Sequence, residues 1–345
     1  MIHAVTYPTA RLAQHALVRP GGETVVLLVH GNGSSSVFWK DLMARLPERF
    51  TALAPDTRGY GATEARPIDA TRGFGDVVDD LIALLDHLGH AQVHVVGHSL
   101  GGNILYALLG SHPERFASAT LVNPGSPYGF GGSKGEQGEP CWPDFAGSGG
   151  GIANPVFVER LKADDRSLDD PNASPRAVMN TYYWHPSFTT PAEDELLDGL
   201  LAMQIGEQFY PGDFEASEHY PFVRPGVWGP LNAVSPKHLS DTVARFIEAT
   251  ASVPVLWVRG DQDQIVSDAS LFDFGTLGTL GLIPNYPGEA LYPPQPMVAQ
   301  TRYVLEQRRA KGGAYSEVVM EGTGHSPYIE RPDEFLAHVL PFWSP

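Results

Sequence analysis

The stretch Val93–Gly102, VHVVGHSLGG, decides how the chain folds. It begins with a short β-branched run typical of a buried strand, and the helical pattern ILYALL follows it. Between the two, Gly97 and Gly101 flank Ser99 in a G-x-S-x-G turn. Both glycines lack the Cβ atoms that would collide with the neighbouring strand and helix. We therefore expect a tight strand–turn–helix unit that projects the Ser99 hydroxyl above a sheet.

Other short apolar runs have the same character, and helical stretches separate them. This alternation predicts a mostly parallel central sheet with crossover helices on both faces, an α/β fold. The predicted strands are Val25–Val29, Thr51–Ala54, Val93–Val96, Ala119–Val122, Pro254–Val258 and Tyr315–Met320. The predicted helices, with apolar residues at three- and four-residue spacing, are Asp76–Leu88, Val298–Arg309 and Pro332–Val339.

The composition changes after Val122. Residues Asn123–Gly151 are dominated by glycine and lose their periodicity, which indicates a loop or a hinge that would let a lid move. From Pro155 to Leu239, helical and aromatic segments return without a clear strand. A second irregular stretch, rich in proline, runs from Ser267 to Pro296.

These changes predict a core that is interrupted by an insertion. We expect residues 1–125 and 251–345 to form the core that contains the sheet. We expect residues 126–250 to form a mainly helical cap or lid domain inserted between its two parts. The insertion, and not the core, would then shape the substrate pocket.

Charge and cysteine content restrict the partners and the compartment. The 345 residues include 23 Lys and Arg against 40 Asp and Glu, a formal net charge of −17, and this disfavours DNA and anionic membranes as partners. Cys141 is the only cysteine, so no intramolecular disulfide can form. Residues 1–16 lack the apolar run of a signal peptide, and no run reaches the ~18 apolar residues of a membrane span. We therefore expect a cytoplasmic protein.

The turn around Ser99 resembles the nucleophile elbow of serine-type α/β hydrolases. The resemblance covers residues 1 to about 125 and about 250 to 345, and it implies an α/β-hydrolase fold with an inserted cap. It also implies a catalytic order of nucleophile, acid and histidine. Since position 99 is serine and not aspartate, the dehalogenases and epoxide hydrolases of this fold are disfavoured.

A serine hydroxyl needs an adjacent base, and that base needs an orienting acid. His325, in GTGHSPYIERPDEF after the Tyr315 strand, stands where similar hydrolases place their catalytic histidine. His30 belongs to a His-Gly turn, and the side chain of His98 should point away from Ser99. We therefore predict that His325 is the base.

Two aspartates after the Pro254 strand compete for the role of the acid. The family pattern G-x-x-D before an apolar pair favours Asp263 and leaves Asp261 as a turn residue that bonds its own backbone. Some relatives carry the acid after the preceding strand, but that position here is Asn123, which cannot hold a negative charge. Asp263 is the predicted acid, with Asp261 as the alternative.

The oxyanion of an acyl-transfer intermediate needs two backbone donors. One is the amide of Leu100, directly after the nucleophile. The other should come from the turn HGNGSSS, from the Asn32 amide, the Asn32 side chain or the Gly33 amide. The nearby loop Asp56–Gly61, DTRGYG, resembles a family loop that we interpret as scaffold.

The sequence contains no dinucleotide, zinc or redox motif, so we expect neither cofactor nor metal. The acidic pairs Asp164-Asp165 and Asp169-Asp170 are typical of a solvated surface, and Cys141 is interpreted as structural. Aromatic residues of the insertion favour a small-molecule substrate with an apolar or aromatic group. We expect one or two of them in the pocket: Tyr182, Tyr183, Trp184, Phe188, Phe209, Tyr210 or Trp228.

The sequence therefore predicts a serine hydrolase that needs no cofactor and cleaves a carboxylic ester or lactone through an acyl-enzyme on Ser99. One alternative keeps the three residues and cleaves a carbon–carbon bond, as the hydrolases of meta-cleavage products do. A second alternative is a ligand-binding α/β-hydrolase scaffold without catalysis.

Overall fold

The computed structural model describes residues 1–249 and 253–343. Its strands are β1 (His3–Pro8), β2 (Ala13–Arg19), β3 (Thr24–Val29), β4 (Phe50–Pro55), β5 (Val93–His98), β6 (Phe116–Val122), β7 (Ser133–Lys134), β8 (Glu139–Pro140), β9 (Ile205–Gly206), β10 (Tyr210–Pro211), β11 (Phe214–Ala216), β12 (Val223–Pro225), β13 (Val255–Gly260) and β14 (Tyr315–Met320).

The α-helices cover the sheet and fill the insertion. They are α1 (Lys40–Arg45), α2 (Gly75–His87), α3 (Leu100–Ser111), α4 (Pro155–Lys162), α5 (Pro175–Tyr182), α6 (Glu193–Leu201), α7 (Pro230–Ala233), α8 (Ser240–Glu248), α9 (Phe274–Thr279), α10 (Met297–Ala310), α11 (Pro327–Glu330) and α12 (Pro332–Phe342). Short 3-10 helices include Ser36–Trp39 and Gly150–Ile152.

In the described part of the chain, eight strands form one sheet in the order β1-β2-β4-β3-β5-β6-β13-β14. The strands from β4 to β14 in this order pair in parallel, and β1 and β2 pair antiparallel at one edge. Strand β5 lies between β3 and β6, so the turn that follows it reaches the centre of the carboxyl edge. The predicted fold class is confirmed.

Both faces of the sheet are buried, which explains the continuous apolar runs. Alternate residues of β3 enter two different cores. Val25, Leu27 and Val29 pack with α2, α3, α8 and α10, whereas Val26 and Leu28 pack with α1 and α12. The helices thus hold the sheet from both sides and leave its carboxyl edge for the loops.

The six predicted strands are confirmed as β3, β4, β5, β6, β13 and β14, five of them with ends that differ by one to three residues. Strands β1 and β2 were not predicted. Most of β1 is exposed or half-buried at the sheet edge, and β2, AQHALVR, carries polar residues among its apolar ones. Neither strand therefore contains the apolar run that marks the buried strands.

The segment between β6 and β13 contains α4 to α8. The expectation of no clear strand in residues 155–239 is wrong, because β9 to β12 form two small sheets there, each strand two or three residues long. Its helices α4, α5 and α6 pack on Phe38 and Tyr60 of the sheet-containing part. The predicted boundary at residues 250–251 lies outside the described residues, and the division into domains stays a prediction.

The two irregular stretches contain little regular structure. Residues 123–151 hold only the short β7 and β8 and the start of a 3-10 helix, and residues 267–296 contain α9, among the residues that the structure describes. A Cβ on Gly131 would lie 2.2 Å from the Gly147 carbonyl oxygen, so these glycines allow close backbone packing. No described helix is long and apolar enough to cross a membrane. Cytoplasmic location stays a prediction.

The packing around α3 gives a test of the fold. A Cβ on Gly101 would lie 2.4 Å from the Val29 carbonyl oxygen and 2.7 Å from that of His30. Because both neighbours are backbone atoms, Gly101→Ala should lower the free energy of unfolding by about 1–3 kcal/mol. Urea unfolding measures this change.

The control is Gly110→Ala in the same helix, where an added Cβ would lie 3.1 Å from the Arg245 Cβ and 3.2 Å from the Phe246 amide nitrogen. Its effect should stay below about 1 kcal/mol, because a shift of a few tenths of an ångström relieves these contacts and alanine favours the helix. Equal losses in the two variants would contradict the assigned role of Gly101.

Candidate active site

Ser99 lies at a strained turn between β5 and α3. Its backbone is left-handed, with φ 54° and ψ −119°, and the Ser99 amide donates to the Val122 carbonyl at 3.0 Å. A Cβ on Gly97 would lie 2.5 Å from the Gly101 carbonyl oxygen, so the predicted need for glycine is confirmed. Ser99 is half-buried while His98 and Leu100 are buried, which presents its hydroxyl at the carboxyl edge of the sheet.

His325 and Asp263 form a buried pair beside this turn. The His325 Nδ1 atom lies 2.8 Å from Asp263 Oδ2, and both side chains are 3% exposed. A carboxylate only accepts, so Nδ1 carries the proton and the other ring nitrogen of a neutral imidazole is left as a base. The hydrogen bonds of residues 1–249 and 253–343 do not include one between the Ser99 hydroxyl and His325. The catalytic role of the three residues stays a prediction.

The two competing aspartates differ sharply in environment. Asp263 Oδ1 accepts from the amides of Ile265 and Val266 at 2.8 and 3.0 Å. Asp261 is exposed and accepts from the Gly322 amide at 2.6 Å. Asp261 therefore ties two loops together and does not bond its own turn as expected. The structure brings Asp263, and not Asp261, to His325.

Asn123 holds the Asp263 carboxylate in place, a contact that the sequence analysis missed. Its Nδ2 donates to Asp263 Oδ2 at 2.6 Å and to the Gly324 carbonyl at 3.2 Å. Its Oδ1 accepts from the Gly260 amide at 3.0 Å. An asparagine carries no charge and therefore cannot itself be the acid. Its amide instead links the ends of β6 and β13 to the loop that carries His325.

His98 fixes the backbone of the histidine loop. Its Nε2 donates to the His325 carbonyl at 2.7 Å, and the Tyr328 hydroxyl lies 3.5 Å from Nδ1. Burial, with the neighbouring His325 as a smaller cause, holds the pKa of His98 well below its ordinary range. His98 is therefore a neutral donor to the histidine loop.

The turn after β3 presents a backbone donor. Thr57 N–H donates to His30 Nε2 at 3.0 Å, so His30 Nδ1 carries the proton and donates to the Gly31 carbonyl at 2.8 Å. That carbonyl also accepts from the Ser34 hydroxyl at 3.0 Å. Both bonds fix the Gly31–Asn32 peptide and polarise its N–H.

Two further observations bear on the alternative oxyanion donors. The Asn32 side-chain oxygen accepts from the Tyr60 hydroxyl at 2.8 Å, which turns the carboxamide toward tyrosine. No hydrogen bond among the described residues uses the amide of Asn32, and Leu100, as the first residue of α3, has no intrahelical partner for its amide. The amide of Gly33 is likewise unused among the described hydrogen bonds, so the backbone amides of Leu100 and of Asn32 or Gly33 stay the predicted donors.

The DTRGYG loop is held within the scaffold. Asp56 accepts from the amides of Ser36 and Ala62 at 2.7 and 2.9 Å, and it bonds His15. Arg58 forms a bidentate pair with Asp80 at 2.6 and 2.8 Å. These contacts support the scaffold interpretation of the loop.

Residues of the insertion reach the site. The Tyr183 hydroxyl donates to the Gly33 carbonyl at 3.1 Å, and the Tyr210 hydroxyl faces the Asn32 side chain. The ring of Tyr182 packs against Phe272. Glu330, which the sequence analysis also missed, accepts from the amides of Gly324 and His185 at 2.8 and 2.9 Å. No sequence pattern indicates contacts between residues so distant along the chain.

The described residues contain no group of three or more His, Cys, Asp or Glu side chains placed to hold a metal ion. The acidic pairs of the insertion are used in surface contacts, such as Arg166 with Asp164 and Asp198. Burial raises the pKa of the Cys141 thiol to about 12, so this cysteine is a poor nucleophile.

Comparison with known proteins agrees with the fold. The model of the alpha/beta hydrolase family matches residues 26–338. The chain belongs to the α/β hydrolase family. A stretch of 102 residues is 37% identical to the proposed carbamate hydrolase RutD of Caulobacter segnis, covering 30% of this chain and 38% of that relative. The chain thus matches well under half the length of this relative.

Three solved structures share the α/β hydrolase fold with this protein over nearly the whole chain. A serine hydrolase from Cycloclasticus zankles has a TM-score of 0.62 at 19% identity and covers 99% of this chain and 98% of its own. An esterase from Exiguobacterium antarcticum has a TM-score of 0.62 at 14% identity and covers 99% of this chain and 100% of its own. A 2-hydroxy-6-oxo-6-phenylhexa-2,4-dienoate hydrolase from Rhodococcus sp. has a TM-score of 0.58 at 19% identity and covers 100% of this chain and 99% of its own. At these identities the likeness concerns the fold.

The Asn123 contacts predict a measurable loss. Asn123→Ala removes the 2.6 Å donor to Asp263 and should slow the reaction of Ser99 with a fluorophosphonate by about 10–100-fold, because a hydrogen bond to a charged group contributes about 1.5–3 kcal/mol. The second-order labelling rate measures this effect. Asn103→Ala, which removes a donor to the Ser126 carbonyl, is the control. Labelling of Asn123→Ala at the wild-type rate would contradict the role.

The buried histidines predict a pH dependence of stability. Burial lowers the pKa of His30 and His98 from 6.5, so below that pH the unfolded chain binds protons that the folded chain does not. Stability should therefore rise with pH up to about 6.5 and fall as pH decreases, by up to about 1.4 kcal/mol per pH unit for each histidine. Urea unfolding between pH 5 and 8 tests the slope.

His98→Gln should reduce this slope, because a glutamine amide can donate to the His325 carbonyl without titrating. His3→Gln, at an exposed position, is the control and should leave the slope unchanged. The same slope in the wild type and His98→Gln would show that His98 is not one of the groups responsible.

Proposed function

We propose that this hydrolase cleaves a carboxylic ester or lactone through an acyl-enzyme on Ser99. The observation that carries the proposal is the buried His325–Asp263 pair at 2.8 Å beside a strained serine turn. Asp263 has each carboxylate oxygen bonded, so it can stay charged and stabilise the imidazolium that forms at His325.

The steps use only groups at this edge of the sheet. Ser99 Oγ attacks the carbonyl carbon while His325 Nε2 takes the hydroxyl proton. The amides of Leu100 and Asn32 receive the oxyanion. When the tetrahedral intermediate collapses, the alkoxide leaves with the proton from His325, and water activated by the same nitrogen then releases the acid. Each backbone amide that donates to the oxyanion typically stabilises the transition state by about 3 kcal/mol.

The insertion supports a role as a cap over a small-molecule site. Tyr183, Trp184 and Tyr210 are buried in one apolar cluster with Phe38 and Tyr60 of the sheet-containing part. Aromatic walls suit an apolar or ring-bearing acyl group. We assign residues 126–250 to this cap and residues 1–125 and 251–345 to the core.

Two other substrates are compatible with the same residues. The sequence match to RutD favours a carbamate, whose carbonyl would be attacked in the same way. The structural neighbour that hydrolyses a phenylhexadienoate points to carbon–carbon cleavage as the other alternative. We favour esters because the donors and the base described here are sufficient for ordinary acyl transfer.

Labelling with a fluorophosphonate tests the proposal directly. Wild-type protein should be modified at Ser99, found by intact mass and peptide mapping, and Ser99→Ala should give no adduct. Asp263→Asn should lower the kcat for p-nitrophenyl acetate by about 10⁴-fold while the protein stays folded, because the imidazole loses its orienting acid. Asp261→Asn is the matched control and should keep activity within about threefold.

The outcomes separate the candidate functions. Absence of labelling in folded wild-type protein would reject the nucleophile and favour a ligand-binding scaffold. In the other outcome, Ser99 is labelled efficiently, but a carbamate or a dienoate is hydrolysed at least tenfold faster than every ester and lactone tried. That substrate class would then replace the proposed one.

A further inference from the structure

A short segment of the insertion touches both halves of the site. We call Tyr183–His185, which follows α5, the strap. At one end the Tyr183 hydroxyl donates to the Gly33 carbonyl at 3.1 Å. Gly33 belongs to the turn HGNGSSS after β3, which carries a predicted oxyanion donor and is called the oxyanion turn below. At the other end the His185 amide donates to Glu330 at 2.9 Å, and Glu330 also accepts from Gly324, the residue before His325.

The strap rests directly on backbone at both ends. A Cβ on Gly33 would lie 2.3 Å from the Tyr183 hydroxyl oxygen. A Cβ on Gly324 would lie 2.6 Å from the Trp184 carbonyl carbon and 2.7 Å from the His185 nitrogen. Larger residues at either glycine would push the strap away. The strap is therefore held in one position relative to the oxyanion turn and the histidine loop.

The Tyr183 ring spans the space between these two anchors. Its centroid lies 6.5 Å from that of His325 and 6.1 Å from that of Phe38, and the residue is 9% exposed. A group bound at Ser99 has to lie between the oxyanion donors and His325. The ring thus borders that space from the side of Gly33 and His325. Because the ring is buried, the leaving alcohol and the entering water have to pass on another side, which leaves the acyl group next to the ring.

We propose that Tyr183 sets the upper size of the acyl group that this hydrolase accepts. The inference rests on the proposed ester hydrolysis at Ser99. The ring blocks longer acyl chains, and its two-ended anchoring prevents it from swinging aside as a free cap side chain would. Selectivity for chain length thus depends on one residue of the insertion and not on the core.

The test compares kcat/KM for p-nitrophenyl acetate, butyrate and hexanoate. In Tyr183→Ala the ratio of hexanoate to acetate should rise by at least about tenfold, since a single methylene in an apolar pocket changes the ratio about 10–200-fold. Tyr183→Phe keeps the ring but removes its hydroxyl anchor on the Gly33 carbonyl, so the ratio should rise by less than in Tyr183→Ala. The matched control is Tyr182→Ala, which removes the adjacent ring that packs on Phe272 with centroids 5.0 Å apart.

Each outcome is decisive. Suppose that the wild type is labelled at Ser99 and hydrolyses acetate. If the folded Tyr183→Ala variant then has the wild-type ratio of kcat/KM for hexanoate to that for acetate, the assignment to Tyr183 is overturned and the proposed function is not. A shift as large in Tyr182→Ala overturns it as well. If Tyr183→Ala does not fold, Tyr183→Leu replaces it, with an expected rise of at least threefold, and no rise rejects the inference. A wild type that neither labels nor cleaves esters rejects the proposed function, and the size assignment falls with it.

Discussion

The left-handed backbone of Ser99 is the constraint on which the rest of the site depends. A non-glycine residue in such a conformation costs about 1–3 kcal/mol and persists only where its surroundings enforce it. Here the enforcement is steric. Gly97 and Gly101 let β5, α3 and the end of β3 approach to distances that no side chain would allow, and a Cβ on Gly31 would lie 2.9 Å from the Ser99 Cβ. The sheet and the first helix turn together hold the hydroxyl at the carboxyl edge.

Around this turn the polar groups form a network in which neutral side chains position charged ones. Asn123 donates to Asp263, His98 donates to the His325 backbone, and His30 fixes the Gly31–Asn32 peptide. These groups are buried, and a buried polar group without a partner would be costly. Because each one has its partner, the network favours the arrangement that brings Asp263, His325 and the turns after β3 and β5 to one edge of the sheet.

The sequence predicted the parts of the structure that local patterns encode. Buried parallel strands read as apolar runs, and a glycine-flanked serine between strand and helix marks the turn, so the central strands and the positions of Ser99, Asp263 and His325 could be predicted. The exposed edge strand β1 has no such pattern. The roles of Asn123, Tyr183 and Glu330 depend on contacts across 140, 150 and 145 positions, which no spacing rule detects.

The bond between His98 and the His325 carbonyl joins residues 227 positions apart. The ribosome exports Ser99 and its helix before it makes β14 and the histidine loop. Under the proposed mechanism, Ser99 therefore has no base until the last strand of the sheet and the loop after it are in place. Activation of the serine would then require the complete sheet.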